Sequence, residues 1–319
     1  MNLRQIRSLC EIVDCGLQIS AAAKALHRSQ PSLTRQIQDL ETELGIEIFV
    51  RRKNRIVDVT PQGKEIVSIA RRMLQDAASM LIIGQDQGTD AHGELRLATT
   101  HTQARYALPR VIRQFMATYP NVKLNMRQGD PVQCCDLVEK GLADLAICAE
   151  IRSLPGDVVQ IPCYRMNRSV ITPPRHPLLR VRPLTLEAIA RYPIITYDDA
   201  FSGRRIVDKA FSDRGLTPSV VLGAADADVG KSYVEMKVGI AILATIVFDA
   251  KRDAGLRRID ARHLFPSSTL GFVLRRNSYL RGHTLAFMQM FAPRLRKADI
   301  LNTLAGRAMP VNRAELPEL

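Results

Sequence analysis

The sequence predicts two parts of different fold class: an all-α N-terminal part that ends in a long linker helix, and an α/β C-terminal part of two Rossmann-like subdomains. Three observations support this. Short amphipathic helical segments fill roughly the first sixty residues. A polar, glycine-rich stretch then interrupts the chain at 84–94, and short apolar strands alternate with helices after it. At 319 residues the chain is long enough for more than one domain.

Two short helices joined by a tight turn are predicted within residues 19–44. The first carries the run ISAAAKAL, with Ser20 as its candidate N-cap. The second, QPSLTRQIQDLETEL, follows the cap Ser29, has Pro31 in its first turn and ends at Gly45. One of its faces is apolar and the other polar, which is typical of a helix-turn-helix that places its second helix in the major groove. A plain solvated amphipathic helix is the alternative.

A basic hairpin is predicted next, in the stretch FVRRKNRIVDVT, with its turn at Asn54. A basic turn beside a helix-turn-helix is a wing, which contacts phosphates or the minor groove. The combined unit is therefore a winged helix-turn-helix. The predicted DNA-binding residues are Ser29, Gln30, Pro31, Ser32, Thr34, Arg35 and Gln38 on the second helix, and Arg51, Arg52 and Lys53 at the turn.

A long helix is predicted to begin at Thr60-Pro61. Its apolar stripe consists of Ile66, Ile69, Ala70, Met73, Leu74, Ala77, Met80 and Leu81. A lone helix cannot bury such a stripe, so we expect it to pair with a second copy of the chain. Packing against its own domain is the alternative. The predicted boundaries are 1–60 for the winged unit, 61–90 for the linker helix and hinge, 91–300 for the α/β domain and 301–319 for a C-terminal tail.

The α/β domain is predicted to contain two subdomains, one of about 91–162 and 268–300 and the other of about 163–267. Strand–helix alternation favours parallel sheets covered by helices, with a cleft between the subdomains as in periplasmic binding proteins. In the tail, disorder is expected for about the last ten residues.

Hydroxyl and amide side chains crowd the first strand end, in the stretch ATTHTQARYALP. The strand is predicted to end at Thr99 and a helix to begin near Gln103. Free N–H groups at a helix start, together with neutral side-chain donors, suit a small oxyanion at the carboxyl end of a strand. Two further helix starts, in FSGRR at 201–205 and in DADVG at 226–230, are predicted to face the same cleft. Threonines that only cap the helix are the alternative.

Composition limits the classes of function. The net charge of +13 favours a polyanionic partner, although the first ninety residues are nearly neutral. No run of about 18 apolar residues and no signal peptide are found, so a cytoplasmic protein with no membrane partner is expected. The six cysteines show no CxxC pair and predict reduced, mostly buried thiols rather than a redox or metal site.

An enzyme is the main alternative class. No GxSxG, Walker A or GxGxxG motif is found, and no His/Asp/Glu cluster has metal-ligand spacing. His101 is the best candidate base, but a structural or orienting role is favoured for it. We therefore predict no catalytic residues, no metal and no cofactor. An architectural DNA-binding protein without a ligand is the third class, and the long second domain argues against it.

The segment ISAAAKALHRSQPSLTRQIQDLETELGIEIFVRR, followed by TPQGKEI, resembles the DNA-binding module of LysR-type transcriptional regulators. The stretches ATTHTQARYALP, CYRMNRSVITPPRHPL, AFSGR and DADVGKSYV resemble the CysB-like subgroup of cysteine-regulon activators and its sulfonate-utilisation relatives. This resemblance implies a regulator of sulfur genes that binds promoter DNA, forms a dimer of dimers and has RNA polymerase as a further candidate partner. A LysR-type regulator of an unrelated pathway is the alternative.

The same resemblance implies an effector site. By position, Thr100, Thr102, Gln103 and Ser202 would bind the effector, and Ala149 and Ala225 stand where the subgroup usually has threonine. Each lost hydroxyl removes a hydrogen bond to a charged ligand that is worth roughly 1.5–3 kcal/mol. The small anionic effector is therefore left open among sulfate, acetylserine and adenylyl sulfate.

Overall fold

The computed structural model describes residues 1–53, 55–83, 92–151, 153–307 and 312–319. Within 61–83 it describes the side chains of 61–74, 76, 77 and 80. The contacts divide the chain into two units, Met1–Asp86 and Gln87–Leu319. Most of the predicted hinge, 84–91, lies outside the described residues, as does Asn54. In these ranges we find no helix with the length and hydropathy that a membrane crossing requires.

The first unit contains four helices and a hairpin in its described residues. These are α1 (Leu3–Asp14), α2 (Ile19–Ala25), α3 (Gln30–Leu44), β1 (Phe49–Arg52), β2 (Arg55–Val59) and α4 (Pro61–Ile83). The predicted caps of α3 are confirmed, because the Ser29 hydroxyl accepts from Ser32 N and Gly45 adopts a left-handed φ of 68°. The prediction for Ser20 was wrong. Gln18 occupies the N-cap, and Ser20 lies inside the first turn because α2 starts directly after a tight turn at 16–17.

The core of this unit lies between α1, α2, α3 and the hairpin. Leu9, Ile12, Leu33, Leu40 and Phe49 have no exposed surface. The side chains of Ala22 and Ala23 on α2 are small and buried, which allows the neighbouring helices to approach closely. This packing fixes one face of α3 inside the unit and leaves the opposite face exposed.

Some apolar residues of helix α4 are buried in the unit, and others are exposed. Val67 and Ala70 are buried in the core of the unit, and Arg71 Nη2 lies 2.5 Å from Asp14 Oδ1 on α1. Ile69 and Met80, in contrast, are 46% and 75% exposed. Part of the predicted stripe thus packs against its own domain, and part remains free for a partner. The side chain of Leu81 lies outside the described residues.

The second unit contains two five-stranded sheets. The strands are β3 (Gly93–Thr99), β4 (Val122–Gln128), β5 (Leu145–Ala149), β6 (Val158–Met166), β7 (Arg168–Thr172), β8 (Ile194–Tyr197), β9 (Val220–Ala224), β10 (Ile240–Ala244), β11 (Arg257–Asp260) and β12 (Ser268–Arg275). The helices are α5 (Pro109–Thr118), α6 (Pro131–Glu139), α7 (Leu186–Ala190), α8 (Ser202–Ser212), α9 (Ala227–Glu235), α10 (Gly282–Phe291) and α11 (Lys297–Leu304). A π-helical turn at Gln103–Ala107 follows β3.

The sheets have the strand orders β4-β3-β5-β12-β6 and β11-β7-β10-β8-β9. The prediction of parallel sheets was only partly right. β3, β4 and β5 run parallel, as do β8, β9 and β10, but β12 is antiparallel to β5 and β6, and β7 is antiparallel to β10 and β11. The antiparallel strands are those next to the two crossings between subdomains, where the chain enters each sheet from the other one.

The subdomains meet at these two crossings. The first lies at Asn167 rather than near 163, because β6 continues in the first sheet to Met166 and β7 opens the second sheet at Arg168. The second crossing ends at Ser268, where β12 begins, close to the predicted position. The carboxyl ends of β3, β5, β8 and β10 all reach the cleft between the subdomains, which is where open α/β sheets place ligands.

The end of the chain is ordered against the first subdomain. Residue Arg165 of the edge strand β6 donates its backbone N–H to Pro317 O at 2.8 Å and accepts from Leu319 N at 3.0 Å. The expected disorder was therefore wrong for 312–319, while 308–311 lie outside the described residues. An edge strand has unpaired backbone groups, and here the chain terminus satisfies them. The predicted boundary at 300 also falls inside α11.

Candidate functional site

The cleft between the two subdomains contains a cavity of about 40 Å³. A cavity of this size holds a few water molecules, or a small anion in their place. Its lining residues are Thr100, Thr102, Gln103, Ala149, Met166, Asn167, Arg168, Tyr197, Phe201, Ser202, Gly203, Ala244 and Ser268. None of them is Asp or Glu, so no lining carboxylate opposes an anion.

The first subdomain supplies neutral donors from the loop after β3. Thr100, Thr102 and Gln103 are all buried, and only 2% of Gln103 is exposed. The Thr100 hydroxyl donates to the Gln103 carboxamide oxygen, and Gln103 Nε2 lies 3.3 Å from Met166 Sδ. Because a thioether is a weak acceptor, an oxyanion in the cleft would be a better partner for this amide.

These threonines do not act as helix caps in the described structure. Thr102 precedes the π-helical turn, and its hydroxyl makes no capping hydrogen bond. Thr102 instead lines the cleft together with Tyr197 of the second subdomain, whose pKa is raised by burial. The alternative in which the threonines only cap a helix therefore loses its support.

The second subdomain supplies the start of α8. Ser202 and Gly203 open this eleven-residue helix and line the cleft, as predicted. Phe201 occupies the N-cap and has no side-chain acceptor, so the first N–H groups of the helix are left for another partner. A side chain at Gly203 would place its Cβ 2.9 Å from Tyr197 Cδ2, which explains the glycine.

Arg168 is the residue that the sequence analysis missed. The expectation of neutral donors alone was wrong, because this guanidinium lines the cleft and is only 3% exposed. Its Nη1 donates to Pro266 O at 2.8 Å, and no described carboxylate forms an ion pair with it. Burial lowers the pKa of Arg168 to about 10. At neutral pH a positive charge thus lies in the cleft with no carboxylate of the described residues as its counter-ion.

The structure brings most of the predicted effector residues together, but not all of them. Ala149 lines the cleft at the end of β5, beside the predicted donors. Ala225 is exposed and is not among the lining residues, because it follows the edge strand β9 before α9 begins. His101 is half-buried and does not line the cleft either.

A second surface of interest is the outer face of α3 in the first unit. Gln30, Pro31, Thr34, Arg35 and Gln38 form one side of a shallow groove there. Arg35 is exposed, and none of the ion pairs among the described residues includes it. Ser32 is also exposed, and the Ser29 hydroxyl is engaged in the cap. Short polar donors around a free arginine are the groups that read base edges and phosphates.

The hairpin beside α3 presents exposed Arg52, Lys53 and Arg55. Arg51 differs from them, because its guanidinium binds Glu41 of α3 in a bidentate ion pair, with Nη2 2.7 Å from Oε2. Glu41 Oε1 also accepts from Ile48 N at 2.8 Å. Arg51 therefore holds the hairpin against α3, and its contact with DNA stays a prediction.

The remaining reactive groups offer no chemistry in the described residues. All six cysteines are free thiols, and five of them are buried, as predicted. Burial raises the pKa of Cys10 and Cys135 to about 11 and that of Cys134 and Cys163 to about 12, so these thiols are protonated and unreactive. No described group of three His, Cys, Asp or Glu side chains could hold a metal ion.

The family comparisons agree with this geometry. The family described as "Bacterial regulatory helix-turn-helix protein, lysR family" matches residues 3–64. The family described as "LysR substrate binding domain" matches residues 88–296. Together the matches cover both units and both surfaces described above.

Individual relatives extend over nearly the whole chain. The transcriptional regulator SsuR of Burkholderia cenocepacia is 44% identical over 304 residues, which is 95% of this chain and 99% of that protein. CysB of the same organism is 42% identical over 308 residues, or 97% and 98% of the two chains. The crystal structure of the cofactor-binding domain of the Cbl transcriptional regulator is 38% identical, with a TM-score of 0.66 over 68% of this chain and 96% of that one.

The chain thus combines an exposed polar face on α3, a basic wing and a cleft that suits an anion. Its relatives SsuR and CysB match it over nearly its whole length, and both are transcriptional regulators. The protein belongs to the LysR family of bacterial DNA-binding transcriptional regulators.

Proposed function

We propose that this regulator controls genes of sulfur assimilation or sulfonate utilisation in response to a small anionic sulfur-status metabolite bound in the cleft. The relatives at 42–44% identity, SsuR and CysB, are regulators of sulfur genes. The observation that carries the proposal is the meeting of buried neutral donors from both subdomains with the unpaired guanidinium of Arg168, in a cleft lined by no carboxylate.

The charge balance of the cleft favours an anion over a neutral ligand. A buried cation without a counter-ion is unfavourable, so an anion that enters the cleft recovers an electrostatic interaction. The hydroxyls of Thr102 and Ser202 and the amide of Gln103 supply the hydrogen bonds that fix its orientation. Ala149 replaces a hydroxyl that the subgroup resemblance implies, which leaves room for a group larger than a single oxygen.

An anion panel tests the effector class. The full chain would be titrated calorimetrically with sulfate, thiosulfate, O-acetylserine and adenylyl sulfate, with dimethyl sulfone as a neutral analogue of sulfate. We expect at least one of the four to bind and to raise the melting temperature, because a ligand that binds only the folded state stabilises it. Dimethyl sulfone should do neither. Binding of dimethyl sulfone as tight as that of the oxyanions, or binding of none of them, would contradict the proposal.

For DNA binding, we propose that Gln30, Ser32, Thr34 and Arg35 contact the major groove and that Arg52 and Lys53 contact the phosphate backbone. Ser29, Pro31 and Gln38 flank this face. The DNA is double-stranded promoter DNA in the cytoplasm, and RNA polymerase is the proposed partner at the promoter. The contacts of the α3 face with base edges would determine which promoters are bound.

We also propose a homo-oligomer, with a dimer of dimers as the assembled form. Exposed apolar side chains support it in both units: Ile69 and Met80 on α4, and Met126 and Val221 on the edge strands β4 and β9. Two such surfaces on one chain allow each copy to contact two others. Pairing would also present two α3 helices to one DNA duplex.

A further inference from the structure

A buried polar cluster links the two subdomains next to the effector cleft. Its centre is Lys231 of α9, a residue of the second subdomain that is only 6% exposed. Lys231 Nζ lies 2.9 Å from Asp253 Oδ1, 3.0 Å from Asp228 Oδ1 and 2.9 Å from Val247 O. Asp253 Oδ2 is a fourth oxygen neighbour. The fifth is the Tyr106 hydroxyl, which belongs to the first subdomain and lies 2.8 Å from Lys231 Nζ.

Two adjacent residues of the first subdomain complete this cluster. The Tyr106 hydroxyl donates to Asp228 Oδ1 at 2.6 Å, and Arg105 Nε lies 2.5 Å from Asp228 Oδ2. The ring of Tyr106 packs against the apolar core of the second subdomain, and Lys231 Nζ lies 5.1 Å from the ring centroid. Tyr106 thus reaches across the boundary and packs in the core of the other subdomain.

The charges of the cluster balance only when the subdomains meet. Lys231 faces two carboxylates, Asp228 and Asp253, within its own subdomain, and Arg105 supplies the second positive charge from the other one. Burial lowers the pKa of Lys231, but hydrogen bonds with Tyr106, Asp253 and Asp228 outweigh burial and hold that pKa above its ordinary value. Separation of the subdomains would remove two partners of the half-buried Asp228 carboxylate, the Arg105 guanidinium and the Tyr106 hydroxyl.

The same turn carries the effector donor Gln103. Gln103, Arg105 and Tyr106 all lie in the π-helical turn Gln103–Ala107, a rare geometry that often marks a functional site. Leu108 N donates to Gln103 O at 3.0 Å and closes this turn. The hydrogen bonds of the Tyr106 hydroxyl hold this turn against α9. They therefore also fix the backbone position of Gln103.

We propose that Arg105 and Tyr106 form a clasp on Asp228 and Lys231 that holds the subdomains in this arrangement, and that Tyr106 is thereby a positioning residue for Gln103. This proposal depends on the proposed function in one respect, because it takes the cleft as the effector site. Neither residue lines the cleft, so the clasp acts through the turn and not through contact with the effector.

The test uses Tyr106→Phe in the full chain, because this change keeps the packed ring and removes only the hydroxyl. Tyr164→Phe is the matched control, since its hydroxyl donates to Phe291 O at 2.6 Å inside the first subdomain. Ala104 N donates to Thr100 O and Leu108 N donates to Gln103 O. We expect hydrogen exchange at these two N–H groups to become about ten-fold faster in Tyr106→Phe and unchanged in the control. Unchanged exchange in both variants would overturn the clasp.

A double-mutant cycle tests the positioning role. With whichever of sulfate, thiosulfate, O-acetylserine and adenylyl sulfate binds the unchanged chain tightest, we expect Tyr106→Phe to weaken binding about five- to twenty-fold. The same change in a Gln103→Ala background should have little further effect, because Tyr106 acts through Gln103. Additive effects would overturn the positioning role. If the unchanged chain binds none of the four anions, the proposed effector class is wrong, and hydrogen exchange alone decides the clasp.

Discussion

At the scale of single residues, two buried charges differ in how they are compensated. Glu41 accepts from the backbone N–H groups of Ile48 and Phe49 and from the guanidinium of Arg51, so its charge is fully hydrogen-bonded. Arg168 donates to one carbonyl oxygen, Pro266 O, and has no carboxylate partner among the described residues. The first arrangement is typical of a structural residue, and the second agrees with the proposal that Arg168 binds an anion.

Replacement of Arg168 should change the stability of the free protein and its binding of an anion in opposite directions. We expect Arg168→Met to keep or raise the melting temperature of the free protein, because a buried cation without a counter-ion is removed. The rise in melting temperature that the bound anion produces should be lost, and the measurement is a thermal denaturation with and without whichever anion of the panel binds the unchanged chain tightest. Exposed Arg191 offers the control, Arg191→Met, which should retain the shift. A normal shift with this anion in Arg168→Met would show that the guanidinium does not contact it.

At the scale of elements, α4 has two different surfaces. Its buried residues Val67 and Ala70, with the ion pair of Arg71 and Asp14, attach it to α1 of its own unit. Its exposed residues Ile69 and Met80 have no such partner surface in the described residues of the unit. A helix that folds against its own domain can therefore still offer an apolar surface to a second copy.

Charge on the exposed side of α4 should prevent that pairing. We expect the double variant Ile69→Glu, Met80→Glu to have a lower molar mass in sedimentation, because buried unpaired carboxylates are strongly disfavoured in an apolar interface. Met116, which is 57% exposed in the second unit, provides the control Met116→Glu, whose mass should not change. An unchanged mass in the double variant would place the subunit contact elsewhere.

At the scale of the whole molecule, the protein contains two units with separate cores. Under the proposed function, the first presents donors to DNA and the second presents donors to an anion. Coupling between effector binding and DNA binding requires that the effector bind one conformation of the protein more tightly than another. The proposed clasp of Arg105 and Tyr106 is an element of the second unit that would differ between such conformations. The ordered C-terminal residues on β6 further define the second unit by closing the edge of its first sheet.

Two single changes should separate the activities of the two units. We expect Arg35→Ala to weaken promoter binding by about 1–3 kcal/mol and to leave anion binding unchanged, because Arg35 is a proposed DNA contact and does not line the cleft. Thr102→Ala should weaken anion binding by about 10- to 100-fold and leave DNA binding without effector unchanged. Lys209→Ala and Thr185→Ala are the matched controls, since Lys209 pairs with Asp213 and Thr185 caps α7. Equal damage to both activities in either variant would contradict the two-unit assignment.

Much of the fold was predictable because local signals were strong. Ser29, Pro31 and Gly45 mark the recognition helix through cap and φ preferences that act within a few residues. Two strands were not predicted, β6 and β11. β6 contains Pro162, which weakens a strand pattern, and it is stable as an edge strand because Gly271 of β12 permits the close approach of Ile161 O.

The sequence by itself determined the helix-turn-helix, the wing, the α/β alternation and the candidate donors Thr100, Thr102, Gln103 and Ser202, because each follows from periodicity, capping or family resemblance within a short segment. Only the tertiary structure decided that Arg168 faces the cleft, that Arg51 pairs with Glu41, and that Tyr106 reaches Lys231. An arginine or tyrosine in isolation has no pattern that reveals its partner. Burial and charge compensation arise between residues far apart in the chain, and they exist only when the subdomains have packed.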